Sequence, residues 1–417
     1  MFHDRIFRHG TRRASIIWQF VVTLTFAMTT AYGQDRQYTI GSTVDVVSGS
    51  DSNPTNSLTG GLPQGSSRPA TFFNLYPGIS LVTSGGHSAF RATYALGLAG
   101  TRGDADYNSL SHSASLMFSY PATSKWKLNL TESFLATSDT ASFNGLRGTT
   151  PPSDQFRFLF DPVALGLSTR TNTAGISTDY TLNPKSTLSL SASHGLRNYG
   201  NSPVLNANLS DQQFVTGKID YTQKTTARDA WSVGYTASYF SFQNFGSWAS
   251  HNFHVGYSVG ITPDVKLELT VGATRLERLG SVGTGGSYVG YNSSAAITRR
   301  KENDSFSVYY RQDAGQPTGL GSISETRYAG VEVGRRFGTI ALFLDASVFD
   351  AQEIDNHLQT SGVHATASIG IPLNKTLSIN GGAQYQRYDQ TAPLAFTQQR
   401  FFVTLRYNDP KLWTIFR

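Results

Sequence analysis

From His251 to Thr274 every second residue is apolar, on both sides of a turn. Phe253, Val255, Tyr257, Val259 and Ile261 share one parity, and Asn252, His254, Gly256, Ser258 and Gly260 the other. After Thr262-Pro263-Asp264, the residues Val265, Leu267, Leu269, Val271 and Ala273 alternate with Lys266, Glu268, Thr270, Gly272 and Thr274. A period of two sorts side chains onto the two faces of a pleated strand, whereas a helix face repeats about every 3.6 residues. Pro and Asp favour a tight reversal, so the two runs form a hairpin. The unit recurs around Pro121, around Asn183-Pro184-Lys185 and around Pro372-Leu373-Asn374-Lys375.

The reversals alternate in kind. Tight turns fall near 84–86, 121–125, 183–185, 223–229, 262–264, 299–303, 336–338 and 372–375. Longer polar connections fall near 101–110, 139–171, 198–210, 244–250, 279–287, 314–324, 351–358 and 390–396. Short turns at one end and long loops at the other are the asymmetry of a bacterial outer-membrane barrel, and a soluble sandwich has no reason to sort its loops by parity. Strands of about 9–11 residues suffice to cross a bilayer when tilted. Seventeen strands can be counted from Thr71 to Tyr407, and segment 37–48 supplies an eighteenth if it pairs. The expected fold is all-β: a single antiparallel transmembrane β-barrel of about 16–18 strands. The polar stretch 49–70 is either its first outer loop or a periplasmic linker.

An alternating sheet also suits a soluble β-protein, so the lipid-facing reading needs separate support. Aromatics make up 12% of the chain and charged residues 15%, a palette of strands and turns with few ions. Tyr120, Trp126, Tyr180, Tyr221, Trp231 and Tyr407 flank the tight turns on the apolar face, where an interfacial girdle belongs. The opposite face is mostly small and polar. Glu132 and Arg327 are exceptions that share parity with apolar neighbours. A helical span needs roughly 20 apolar residues, and the one candidate run is Ile16–Met28. With Arg5, Arg8, Arg12 and Arg13 before it and Ala31-Tyr32-Gly33 after it, residues 1–33 read as a secretory signal peptide. Removing them leaves a small positive excess that gives no basis for nucleic-acid binding. Cysteine is absent, and a closed ladder of backbone hydrogen bonds can hold an exported chain together without disulfides.

With these features the chain resembles the outer-membrane β-barrel porin superfamily of Gram-negative bacteria over residues 71–407. Arg400–Tyr407 looks like the C-terminal strand read by barrel-assembly machinery in such proteins, with Phe401, Val403, Leu405 and Tyr407 on one face. The family usually stops at that aromatic. Here a tail, 408–417, follows, either as a periplasmic extension or with Leu412, Thr414 and Phe416 repeating the pattern. The resemblance implies residence in the cell outer membrane, contact with its lipid and passage of small hydrophilic solutes. Porins of this size are often homotrimers; the sequence marks no interface.

By parity, Arg91, Lys127, Arg197, Lys218, Lys266 and Arg311 face the lumen, against Asp179, Asp220, Glu268, Glu332 and Asp345. Near balance predicts at most weak anion preference. The longest loop, 139–171, carries Asp154, Arg157 and Asp161 beside Phe156, Phe158 and Phe160, and is the candidate constriction. His251 and His254 are three apart on a strand, so they point to opposite faces and cannot share a metal. No catalytic, cofactor or metal motif emerges. The expectation is a channel and not an enzyme, with a polysaccharide exporter or a closed surface scaffold or adhesin as alternatives.

Overall fold

A computed structural model describes residues 37–52, 69–84, 88–102, 107–137, 169–199, 211–243, 246–279, 286–317, 323–355, 359–390 and 395–416. The signal-peptide reading of residues 1–33 and the loop residues Asp154, Arg157 and Asp161 lie outside these. The described residues form one closed 18-stranded sheet. In chain order the strands are β1 (Gln37–Asp51), β2 (Ala70–Ser84), β3 (Ala89–Arg102), β4 (Tyr107–Pro121), β5 (Trp126–Thr137) and β6 (Thr169–Asn183). Then follow β7 (Ser186–Tyr199), β8 (Gln212–Lys224), β9 (Asp229–Phe242), β10 (Gly246–Gly260), β11 (Val265–Leu279) and β12 (Ser287–Lys301). The last six are β13 (Asp304–Pro317), β14 (Ile323–Phe337), β15 (Ile340–Glu353), β16 (Gln359–Pro372), β17 (Leu377–Gln390) and β18 (Ala395–Phe416). Each pairs antiparallel with its sequence neighbours, and β1 closes on β18. Segment 37–48 is therefore the eighteenth strand, and 49–70 spans the end of β1, the connection to β2 and the first residue of β2.

Backbone chemistry explains the inner turns. Thr123, Asn183, Thr226, Thr262 and Asn374 each accept a hydrogen bond on the side-chain oxygen from an N–H two or three residues on. Such Asx and ST turns offer the chain a local partner just where the ladder must stop.

At the outer ends the strands run further than alternation suggests. β3 reaches Arg102, β4 starts at Tyr107 and β10 starts at Gly246, inside segments expected as loops. Above the hydrocarbon both faces are wet, so the ladder continues while the period-two signal that marks it fades. Residues 408–416 also continue β18: Trp413 pairs with Ile40 and Phe416 with Gln37, past a bulge between Ile40 and Ser42.

Several inward-facing rings lie flat across a glycine on the neighbouring strand. Phe214 covers Gly195, Phe349 covers Gly362 and Tyr309 covers Gly330. A β-carbon on Gly195 would sit 1.9 Å from the Phe214 ring. Gly195→Val is expected to lift that ring off the wall and cost about 1–3 kcal/mol by overpacking, read as a lower urea midpoint for the barrel in lipid vesicles. An unchanged midpoint would show that the ring has another place to go.

Candidate solute pathway and its constriction

One face of the wall is apolar and exposed. It carries Phe253, Val255 and Tyr257 on β10, Leu269 and Val271 on β11, and Phe401, Val403 and Leu405 on β18. At the inner turns Trp126 packs on Tyr180 at 5.3 Å and Tyr221 on Trp231 at 5.4 Å, closing the girdle. Along β4, β7 and β10 the outward apolar run is first interrupted at His112, His194 and His251, each eight or nine residues from the inner end of its strand. Ten residues rising about 3.3 Å each at about 40° of tilt span about 25 Å, the height of a barrel's apolar band. Of the two exceptions, Glu132 is buried beside Leu116, Phe118 and Leu130, and Arg327 near the outer end of β14 bonds Glu325 at 3.2 Å.

The other face turns inward. By cross-strand register all eleven charges expected in the lumen stand on it, and most are engaged with one another or with neighbours. Lys218 reaches Asp220 at 2.7 Å, whose other oxygen meets His254 at 3.0 Å. Lys266 meets Glu268 at 2.5 Å. Lys127 stands opposite Asp179, which accepts from the Ser189 hydroxyl at 2.6 Å. Glu332 stands opposite Asp345, and Asp345 meets buried His364 at 3.1 Å. Arg311 is paired with Asp313, Arg197 donates to the Tyr199 hydroxyl at 3.4 Å, and Arg91 is exposed between Val82 and Met117. His251 and His254 do point to opposite faces: His251 bonds Tyr235 on the outside, His254 bonds Asp220 on the inside. Among the described residues, no group of three or more His, Asp or Glu could hold a metal.

Two inward features were not expected. First, the seam between β1 and β18 carries ions on facing rungs. Arg400 bonds Asp51 at 2.6 Å, with side chains 4% and 2% exposed, and Gln398 adds bonds to both Asp51 oxygens. Arg406 grips Asp45 with two bonds, at 2.7 and 3.1 Å. Second, the lumen is not uniformly polar in its outer half. Val47, Phe72, Tyr76 and Phe402 form one buried apolar cluster, with Leu135 of β5 packed against it. Phe240, Phe242, Trp248, Leu276 and Ile323 form another, with Phe214 and Tyr288 alongside.

The second cluster marks a part of the wall that turns inward. Ile323 opens β14, yet it packs on inward residues of β9, β10 and β11, strands it does not pair with. A bulge between Ala314 and Gln316 breaks the ladder of β13 and β14, and Gly315 there has φ of 102°. That left-handed backbone is open to glycine and strained for other residues. A β-carbon on Gly315 would lie 3.2 Å from Leu276 and 3.3 Å from Ser250, both on the inner face. The Tyr288 hydroxyl donates to Glu325 at 2.5 Å, and Arg278 of β11 lies 3.7 Å from Asp355 beyond the end of β15. The outer ends of β13–β15 thus fold over the inner faces of β9–β12. The candidate constriction of the sequence reading, in loop 139–171 around Asp154, Arg157 and Asp161, lies outside the described residues; among those, the outer ends of β13–β15 are a part of the wall that turns inward.

No family model matches the chain, and no curated protein does. Solved structures do. OccAB4 of Acinetobacter baumannii is 10% identical with a TM-score of 0.47, over 90% of this chain and 99% of that one. OccK2 (OpdF) of Pseudomonas aeruginosa, solved in complex with glucuronate, is 12% identical with a TM-score of 0.47, over 89% and 98%. OpdO of Pseudomonas aeruginosa is 10% identical with a TM-score of 0.48, over 91% and 98%. What makes this chain a membrane-spanning β-barrel is its own wall: eighteen strands closed without an edge, apolar outside and charge-paired within.

Proposed function

We propose that the protein is a diffusion channel of the Gram-negative outer membrane for small hydrophilic solutes, not an enzyme. The carrying observation is the closed 18-stranded sheet with a polar inner face. Strands about 4.8 Å apart, tilted by about 40°, enclose a ring about 35 Å across between backbones. Wall side chains reach in by roughly 6 Å each, so they leave an aqueous space that the infolded ends of β13–β15 narrow from one side. The charges, near balance in sign and mostly engaged with neighbours, imply weak selectivity. Outer-membrane lipid and the barrel-assembly machinery are the partners this reading requires.

Single-channel recording of the chain from residue 34 onward, refolded into a planar bilayer, tests it. The expected result is stable ohmic steps with a reversal potential close to zero in a potassium chloride gradient. A folded barrel that stays silent would remove the channel reading. That outcome would favour a closed scaffold, for which the full burial of Val47, Leu276 and Ile323 on the inner wall is the supporting observation.

A further inference from the structure

Two carboxylates face each other across one rung of the inner wall. Glu332 on β14 stands opposite Asp345 on β15, and like charges so placed repel. Among the described residues neither is paired with a lysine or an arginine: Arg300 on β12 attracts Glu332 from two strands away without an ion pair. Asp345 Oδ1 accepts from His364 Nδ1 at 3.1 Å, and the Nε2 of that ring meets the Gln384 side-chain nitrogen at 3.1 Å. An amide nitrogen can only donate, so Nε2 accepts and the imidazole is neutral. It therefore brings no charge to the two acids. The Asp345 side chain is 2% exposed, and its Oδ2 has no hydrogen-bond partner. A buried anionic oxygen without donor or counter-charge is costly, and in a folded protein it calls for an ion or a water.

We propose that this rung holds a partly hydrated divalent cation, Ca²⁺ or Mg²⁺, between the Glu332 carboxylate and Asp345 Oδ2. The surrounding atoms are of the right kind. The Tyr309 hydroxyl lies over Gly330, the next inward position to Glu332 on β14, and Ser347 is the next inward position to Asp345 on β15. Hard cations favour oxygen, and where only two carboxylates bind them they keep part of their water shell. Two carboxylates also balance the charge of one divalent ion, whereas a monovalent ion leaves the pair net negative. The site needs only the folded barrel and stands whether or not the barrel conducts.

Calorimetric titration of CaCl₂, and separately of MgCl₂, into the folded barrel in a non-ionic detergent tests this, with KCl holding the ionic strength constant. The wild type is expected to bind about one ion per chain, with Kd on the order of 10⁻⁴ to 10⁻³ M for the better of the two. Glu332→Gln with Asp345→Asn is expected to weaken that binding about tenfold or more, since both charges are lost while an acceptor for His364 remains. Without divalent ions the same variant should show a higher urea midpoint than the wild type, because the repulsion is gone. Saturating CaCl₂ or MgCl₂ should raise the wild-type midpoint and leave that of the variant unchanged, a dependence that a merely structural role does not give. Glu332→Asp keeps the charge and should keep part of the binding. No heat of binding in the wild type, or equal binding by the double variant, would overturn the site. The rival is a doubly protonated His364 that neutralises Asp345. It predicts a wild-type midpoint that climbs from about pH 8 to about pH 6 and ignores both salts, and that result too would overturn the site.

Discussion

Asp51→Ala is expected to destabilise the folded barrel by about 3–5 kcal/mol, because it leaves the Arg400 guanidinium in a buried site without its carboxylate. The Arg400 and Asp51 side chains are 4% and 2% exposed, so water cannot take the partner's place. Urea unfolding in lipid vesicles, followed by the heat-modifiable band on a gel, reads the loss. Replacing both partners, Asp51→Ala with Arg400→Met, should restore most of it, since a matched apolar pair avoids the desolvation cost. The same logic at Asp45 and Arg406 should give a smaller effect, because that pair is the more exposed of the two. If Asp51→Ala unfolded within 1 kcal/mol of the wild type, roughly the worth of a surface pair, the seam would owe its stability to the backbone ladder alone.

Ile323→Asp is expected to release the infolded ends of β13–β15 and raise single-channel conductance by roughly twofold, as a wider passage requires. Ile323 is fully buried among Phe240, Phe242, Trp248 and Leu276, and a carboxylate loses its hydration in that apolar cluster. Trp248→Ala should act in the same direction by removing the ring against which the end packs. Ile323→Leu keeps volume and polarity and should leave conductance unchanged. A conductance indifferent to Ile323→Asp, in a barrel that still folds, would mean that the narrowest point lies elsewhere in the lumen.

The barrel was legible because lipid on one side and water on the other impose a strict period of two. Phe253 to Ile261 and Val265 to Ala273 carry that pattern without a break, and the turn between them is marked by its own residues. The limits of legibility are equally physical. Trp248 sat in a stretch read as loop, and Tyr239-Phe240 puts large rings on both parities, which is what burial on two faces demands. That doubling, together with Ala314-Gly315-Gln316-Pro317, was the available sign that part of the wall folds inward. The seam was harder. Asp51 and Arg400 are 349 residues apart, and no local pattern says which rung of β18 meets which rung of β1. Arg400 and Arg406 were visible in the closing strand, but their partners depended on a first strand whose pairing had to be assumed.

The seam has a bearing on error in assembly. A slip of one residue between β1 and β18 would turn lipid-facing side chains inward, and the hydrophobic pattern forbids it. A slip of two leaves every face correct, so neither lipid nor lumen can detect it. It would bring Asp45 opposite Asn408 or Thr404, and Asp51 opposite Phe402 or Gln398, parting both acids from their arginines. The two ion pairs therefore act as a proofreading code for the last step of folding: they reject the one class of misclosure to which an alternating sequence is blind.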